Sequence, residues 1–291
     1  MQETAPIQDD PYFEVRSALV RRINQDRAAA GLDSVRLDAL ASQVGDRHCQ
    51  EMAGRGYLSH WNLQGLLPYH RYHFAEGRDH VQENLSRTTV FSSQPNPISA
   101  EPQAILRPLL EAHQRYVDEQ PPLDGHRRNV LDPAHTHVGI GLAVVGGEFT
   151  MAEEFVNRYV ELAAFPETLP RGPVVVDGIL LHSGFGPFYC AVFYEGWPVP
   201  RDVDALDRTY AYQDMAGDIC ARVPPWEMAF RPGNQRFRFN VPVEPRGPGY
   251  YHLVLWVRQP VRATPYQPSI GASQVDTKDG VPCTGWVFRR D

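Results

Sequence analysis

Nine of the 11 histidines in this 291-residue chain fall between His48 and His137. An imidazole titrates near neutral pH and ligates metals through a neutral ring nitrogen, so such crowding raises two chemistries, proton transfer and cation binding. His60 stands apart by position. In the stretch YLSHWNLQG it follows a helical pattern that runs out at Gly54 and Gly56, which delivers it to a loop. His135 and His137 would share one face of a strand and could hold a metal, but two ligands without a third make a weak site. His70, His73, His80 and His113 read as satisfied polar rings. Ser59 precedes His60 directly, and adjacent residues of one loop rarely aim at each other, so a Ser–His nucleophile is not supported. HExxH, GxSxG, a Walker loop and a dinucleotide fingerprint are all absent from the sequence.

The elements that must position these rings differ between the two halves of the chain. From Tyr12 to Ala30, Phe13, Val15, Leu19, Val20 and Ile23 recur at helical spacing, with Gly31 as the stop. A second helix is predicted from about Asp38 to Ala53, on a stripe of Leu40, Val44, Cys49 and Met52. A short helical turn near Leu66–Phe74 leads to a polar, hairpin-like insert and the run VQENLS. The Ser, Thr and Pro-rich TTVFSSQPNPISAEP reads as loop. Helical spacing returns from Ile105 to Val117, where Pro108 must start or kink the helix. HTHVGIGLAVV and EFTMAEEFV flank a Gly146-Gly147 turn as two strands. Helices on both sides of a small antiparallel sheet follow from this order.

After Phe165 the texture changes to proline punctuation and short alternating runs such as RFRFNVPV and YYHLVLWV. These predict an all-β sandwich of immunoglobulin-like type over residues 166–291, behind a flexible N-terminus at 1–11 and a first domain at 12–165. Trp197, Trp226, Trp256 and Trp286 read as core before they read as a sugar platform. Cys190, Cys220 and Cys283 fit one disulfide with one thiol left over, in a pairing the sequence does not choose, and Cys49 reads as a buried apolar residue.

Bulk properties exclude some classes. Residues 1–165 carry 15 Arg and no Lys against 22 acids, while the rest balances at 13 against 13. Phosphate binding needs a basic face, so nucleic acid is not an expected partner. No apolar run reaches the length of a transmembrane helix. MQETAPIQDD lacks the basic and apolar parts of a signal peptide, and the expectation is a secreted or extracytoplasmic protein whose leader has been removed.

Several words in fixed order carry a resemblance: Asn24, Arg27 and Gly31-Leu32, then Asp38-Leu40, His48 and Met52, Ser59-His60, Glu83-Asn84-Leu85, Gly125-His126-Arg127 and Val138-Gly139-Ile140-Gly141. Over about residues 12–160 the chain resembles the CAP superfamily (cysteine-rich secretory, antigen 5 and pathogenesis-related 1 proteins), in its bacterial secreted branch. The resemblance implies a three-layer α-β-α sandwich with a cleft edged by two histidines and two acids. By position these are His60, Glu83 and His126, with Glu111 as the second acid. Such a set would ligate a divalent cation such as zinc through His60 and His126, or hold its members together by hydrogen bonds with no metal. It further implies a secreted binding protein for a cation, a small molecule or a lipid. The β-sandwich would then supply attachment or contact with an extracellular or cell-surface partner. Catalysis is not the expected role, and if the chain is a metal-assisted, peptidase-like hydrolase, Glu83 is its expected base.

Overall fold

Helical spacing of Val15, Leu19, Val20 and Ile23 becomes one buried face of α1 (Phe13–Ala29). In α2 (Ala39–Arg55) the start is fixed by Asp38, whose carboxylate accepts from Ala41 N at 2.8 Å. Its end is fixed by Gly56 at φ 79°, a left-handed stop that favours glycine. α3 (Pro68–Phe74) is short, and α4 (Pro102–Val117) holds Pro108 in its interior. α5 (Gly125–Val130) was not anticipated from the sequence, being too short to show a period. The computed structural model that shows these elements describes residues 10–89, 100–228, 230, 233–259, 277 and 280–291. The N-terminal stretch 1–9 and most of TTVFSSQPNPISAEP lie outside the described residues.

Strands β1 (Arg36–Leu37), β2 (His80–Thr89), β3 (His137–Val145) and β4 (Glu148–Asn157) form one sheet in the order β1-β3-β4-β2. β3 and β4 are an antiparallel hairpin turned by Gly146 and Gly147, both at positive φ. β1 runs parallel to β3, so the sheet is mixed rather than purely antiparallel as expected; a two-residue strand gives no alternation to read.

Alternation assigns the two faces of this sheet. Val138, Ile140, Leu142, Phe149, Met151 and Phe155 pack with α1 and α4 into one buried cluster. On the other face β3 presents Gly139 and Gly141, and α2 lies on them so closely that a Cβ on Gly141 would meet the Gly45 backbone at 2.2 Å. Helices therefore cover both faces, in three α-β-α layers.

The chain separates into two compact units. The first comprises the residues up to Gly77, Val81–Val156 and Pro200–Tyr212; the second comprises Arg78–His80, Asn157–Val199 and the residues from Gln213 onward. In the second, β5 (Val160–Leu162), β6 (Val174–Leu180) and β9 (Arg236–Val241) make one sheet in the order β5-β6-β9. β7 (Gly186–Glu195), β8 (Asp218–Val223), β10 (Gly249–Arg258) and β11 (Val281–Pro282) make the other, with β12 (Trp286–Arg290) paired to β10. Val176, Phe237 and Phe239 share a single core with Cys190, Leu253 and Phe288. α6 (Val203–Leu206) belongs to the first unit.

The expected disulfide is not formed. All four cysteines are free and buried, with Cys220 Sγ 3.4 Å from the Val192 carbonyl and Cys283 Sγ 3.2 Å from that of Leu255. They serve as small core residues, and burial pushes the Cys220 thiol up to about 11. Trp256 and Trp286 are buried, as a core reading requires, whereas Trp197 and Trp226 are 40% and 49% exposed.

Candidate functional site

The loop after α2 is pinned at several points. His48 on α2 donates through Nε2 to the Ser59 carbonyl at 2.8 Å. Arg71 on α3 donates to the His60 and Leu66 carbonyls at 2.6 and 3.1 Å. Asn62 closes a tight turn, its side-chain oxygen accepting from Leu66 N at 2.8 Å. His60 is thus held by main-chain contacts outside any helix, and its Nδ1 lies 2.9 Å from Glu83 Oε1 on β2.

Glu83 is fully buried, and a buried charge persists only with partners. Its second oxygen receives Arg71 Nη2 at 2.5 Å. Burial pushes the carboxyl up, but the Arg71 guanidinium, with His48 and His60, outweighs it and holds Glu83 far below the usual carboxylate range. Glu154 on β4 is driven the other way. Burial and then the charge of Glu83 raise it well above the usual value, against the pull of Arg71, whose Nη2 is 3.9 Å away. Burial, then Arg71, lowers His48 to about 3 and keeps that ring neutral. The Arg71–Glu83 ion pair thus stands at the centre of this buried set, with His60 at its partly buried edge.

His126 opens α5 and belongs to a second dyad. Its Nδ1 lies 2.5 Å from Glu119 Oε1, while Glu119 Oε2 accepts from the main-chain N–H groups of His126 and Arg127 at 2.9 and 3.2 Å. Tyr116 stacks on the ring at 4.6 Å. Glu111 lies elsewhere, on an exposed face of α4, where its carboxylate accepts from Arg107 at 2.7 Å. The acid beside His126 is thus Glu119, which sequence reasoning missed. It sits beyond the helix end at Val117, in a loop that leads back to the first turn of α5.

The dyads meet the same strand. Glu83 and Asn84 are neighbours on β2, so their side chains point to opposite faces. Glu83 bonds His60, while the Asn84 amide donates to the His126 carbonyl at 3.2 Å and to Glu153 at 3.3 Å, and accepts from Asn129 at 2.9 Å. In each dyad Nδ1 faces a carboxylate, and Nε2 makes no hydrogen bond among the described residues. An imidazole so oriented offers Nε2 as an acceptor, a base or a metal ligand. Glu83 and Glu119 have both oxygens engaged, and among the described residues no group of three or more His, Cys, Asp or Glu side chains is placed to hold a metal ion. A centre built from protein ligands alone does not fit this arrangement; a cation would have to keep water in its remaining positions. His135 and His137 do not act as a pair, His135 Nε2 meeting Asn129 and His137 Nδ1 meeting Thr136.

One segment from far along the chain completes the region. Leu206 of α6 is fully buried in a cluster with Cys49, Met52 and Tyr57. Asp207 accepts from Leu58 N at 3.1 Å, Thr209 and Ser59 share a hydrogen bond of 2.6 Å, and the Arg201 guanidinium lies 4.8 Å from the centre of the Trp61 ring. The Tyr212 ring packs at 4.6 Å on His60, and its hydroxyl accepts from Glu83 N at 3.1 Å. The Ser59 hydroxyl, committed to Thr209 and Trp61 N, is not directed at His60.

Residues 20–156 match the family model described as CAP, cysteine-rich secretory protein family. Among solved structures, an extracellular protein containing a SCP domain from Bacillus anthracis is 19% identical, with a TM-score of 0.37, over 50% of this chain and 41% of that one. An outer surface protein from Borrelia burgdorferi is 15% identical, with a TM-score of 0.39, over 50% of this chain and 94% of that one. No curated protein matches the chain.

Proposed function

Residues 20–156 of this chain are a CAP domain, and from that premise we propose that the protein is a secreted or extracytoplasmic binding protein rather than a hydrolase. Its ligand is a divalent cation such as zinc, or a small molecule or lipid group presenting hydrogen-bond donors. The second unit, read as an immunoglobulin-like sandwich, supplies attachment or a second contact surface. The reading rests on one observation, that His60 and His126 each turn Nδ1 to a carboxylate and keep Nε2 for a ligand. No helix of the described residues is long and apolar enough to cross a membrane, which is compatible with it.

A cation would be held by Nε2 of His60 and Nε2 of His126, with Glu83 and Glu119 orienting the rings through Nδ1. Calorimetric titration of zinc into the protein tests this. Binding should weaken at least roughly tenfold in both His60→Ala and His126→Ala, the scale on which ligands and their hydrogen-bonded partners matter. Equal binding by wild type and both variants would remove these imidazoles from the site. A chelator-sensitive peptidase or esterase activity that vanishes in Glu83→Gln would replace the binding role with metal-assisted hydrolysis.

A further inference from the structure

A cavity of about 200 Å³ lies between α2 and α3; His48 and Arg71 of the buried set line it, and His60 does not. Two helix stripes line it. Val44, Arg47, His48 and Glu51 on α2 follow the i, i+3, i+4, i+7 spacing of one helix face, and Arg71 and Phe74 answer from α3. The volume equals that of roughly seven waters at about 30 Å³ each, enough for a small organic molecule.

Its charges are arranged in an unusual way. Arg47 and Glu51 stand four residues apart on one helix, the spacing at which opposite charges ordinarily pair. They do not pair. Glu51 is drawn away, its Oε1 accepting from Tyr57 Oη at 2.5 Å and from Leu63 N at 2.8 Å, while its other oxygen takes no hydrogen bond among the described residues. Arg47 is exposed and has no ion pair or side-chain hydrogen bond among the described residues. The wall thus keeps a cation and an anion apart, about 6 Å along the axis by helix rise.

His48 adds a second acceptor. The Ser59 carbonyl can only accept, so Nε2 carries the ring hydrogen and the neutral imidazole has its lone pair on Nδ1. That atom is buried with no hydrogen-bond partner, an arrangement that costs stability unless something donates to it. Phe74, 48% exposed, and Val44 contribute apolar surface beside these groups.

We propose that this cavity binds a free α-amino acid with an apolar side chain, its ammonium directed to Glu51 and His48, its carboxylate to Arg47 and its side chain to Phe74 and Val44. A neutral alcohol would leave Arg47 unanswered, and a simple anion would leave Glu51 and His48 so. Neither His60 nor His126 lines the cavity.

Ligand-observed NMR and calorimetry with L-leucine and L-phenylalanine, N-acetyl-leucine and leucinamide test the proposal. The free amino acids should bind, and blocking either the amino or the carboxyl group should weaken binding at least tenfold. Arg47→Ala, a change at an exposed side chain the fold does not use, should weaken the free amino acid at least tenfold. His126→Ala should leave it within twofold of wild type, so success or failure here is distinguishable from that of the cation site. Absence of amino-acid binding at millimolar concentration, blocked analogues that bind as well as the free forms, or full affinity in Arg47→Ala would each overturn the assignment.

Discussion

At the scale of single residues, the buried polar groups work as charge-balanced sets, and one gives a pH signature. His113 is fully buried between Glu153 at 2.7 Å and Asp26 at 3.0 Å. Burial pushes its pKa down, but the charge of Glu153 and the hydrogen bonds His113 donates to both acids outweigh this and raise it above 6.5. Asp26 is pushed up by burial yet ends below 3.8 through its hydrogen bonds with Arg22 and His113. A raised histidine contributes stability below its unfolded pKa and loses it as pH climbs through the folded value; a lowered aspartate contributes above its unfolded pKa and loses it in acid. The network is therefore fully stabilising between about pH 3.8 and 6.5. His113→Gln should cost about 3 kcal/mol in urea unfolding near pH 5.5, as the loss of one partner in a buried charged set does, and less near pH 9. A gap that does not change with pH would mean that His113 is neutral throughout. His60, Glu83 and His126 were nameable in advance because short words mark them; Arg71 and Tyr212 were not, since their role is a long-range contact with no local signal. Glu119 was missed because the resemblance placed the second acid on the helix, at Glu111, whereas Glu119 lies just past the helix end at Val117.

At the scale of elements, the layering depends on how closely α2 approaches β3. Gly139 would place a Cβ 2.4 Å from Ala41, and Gly141 one 2.2 Å from Gly45, with backbone atoms that cannot move aside. Gly141→Ala should accordingly cost about 3 kcal/mol or more, at or beyond the upper end for overpacking. Denaturant unfolding would measure it, and a cost below about 1 kcal/mol would show that the helix can lift off its sheet. The helices and strand β9 were legible because amphipathic periods of 3.6 and 2 survive in α1, α2 and β9, while β10, buried on both faces, was marked by its run of strand-forming residues. β1, α5 and α6 span 2, 6 and 4 residues, too few for a period, and owe their existence to neighbours.

At the scale of the whole molecule, the first unit is not one continuous piece of sequence, for it reclaims residues 200–212. Nothing local announced this, because the segment lies among strand-forming runs and is recruited by burial of Leu206 and by Tyr212. A chain ended at Phe165, where the change of texture suggests a boundary, should lose about 2 to 3 kcal/mol of stability, the scale of one buried leucine with its companions. Urea unfolding of this shortened chain would measure the loss, and supplying residues 200–212 as a peptide should restore part of it. Unchanged stability would make the segment a passenger. One hydrogen bond in it has a wider effect. Among the described residues β2 is the outermost strand of its sheet, and the outward amides of such a strand can pair with a strand from another molecule. By taking the Glu83 N–H, the Tyr212 hydroxyl removes one such donor near the middle of the strand, so the phenol that packs on His60 also occupies a backbone group a foreign strand would need.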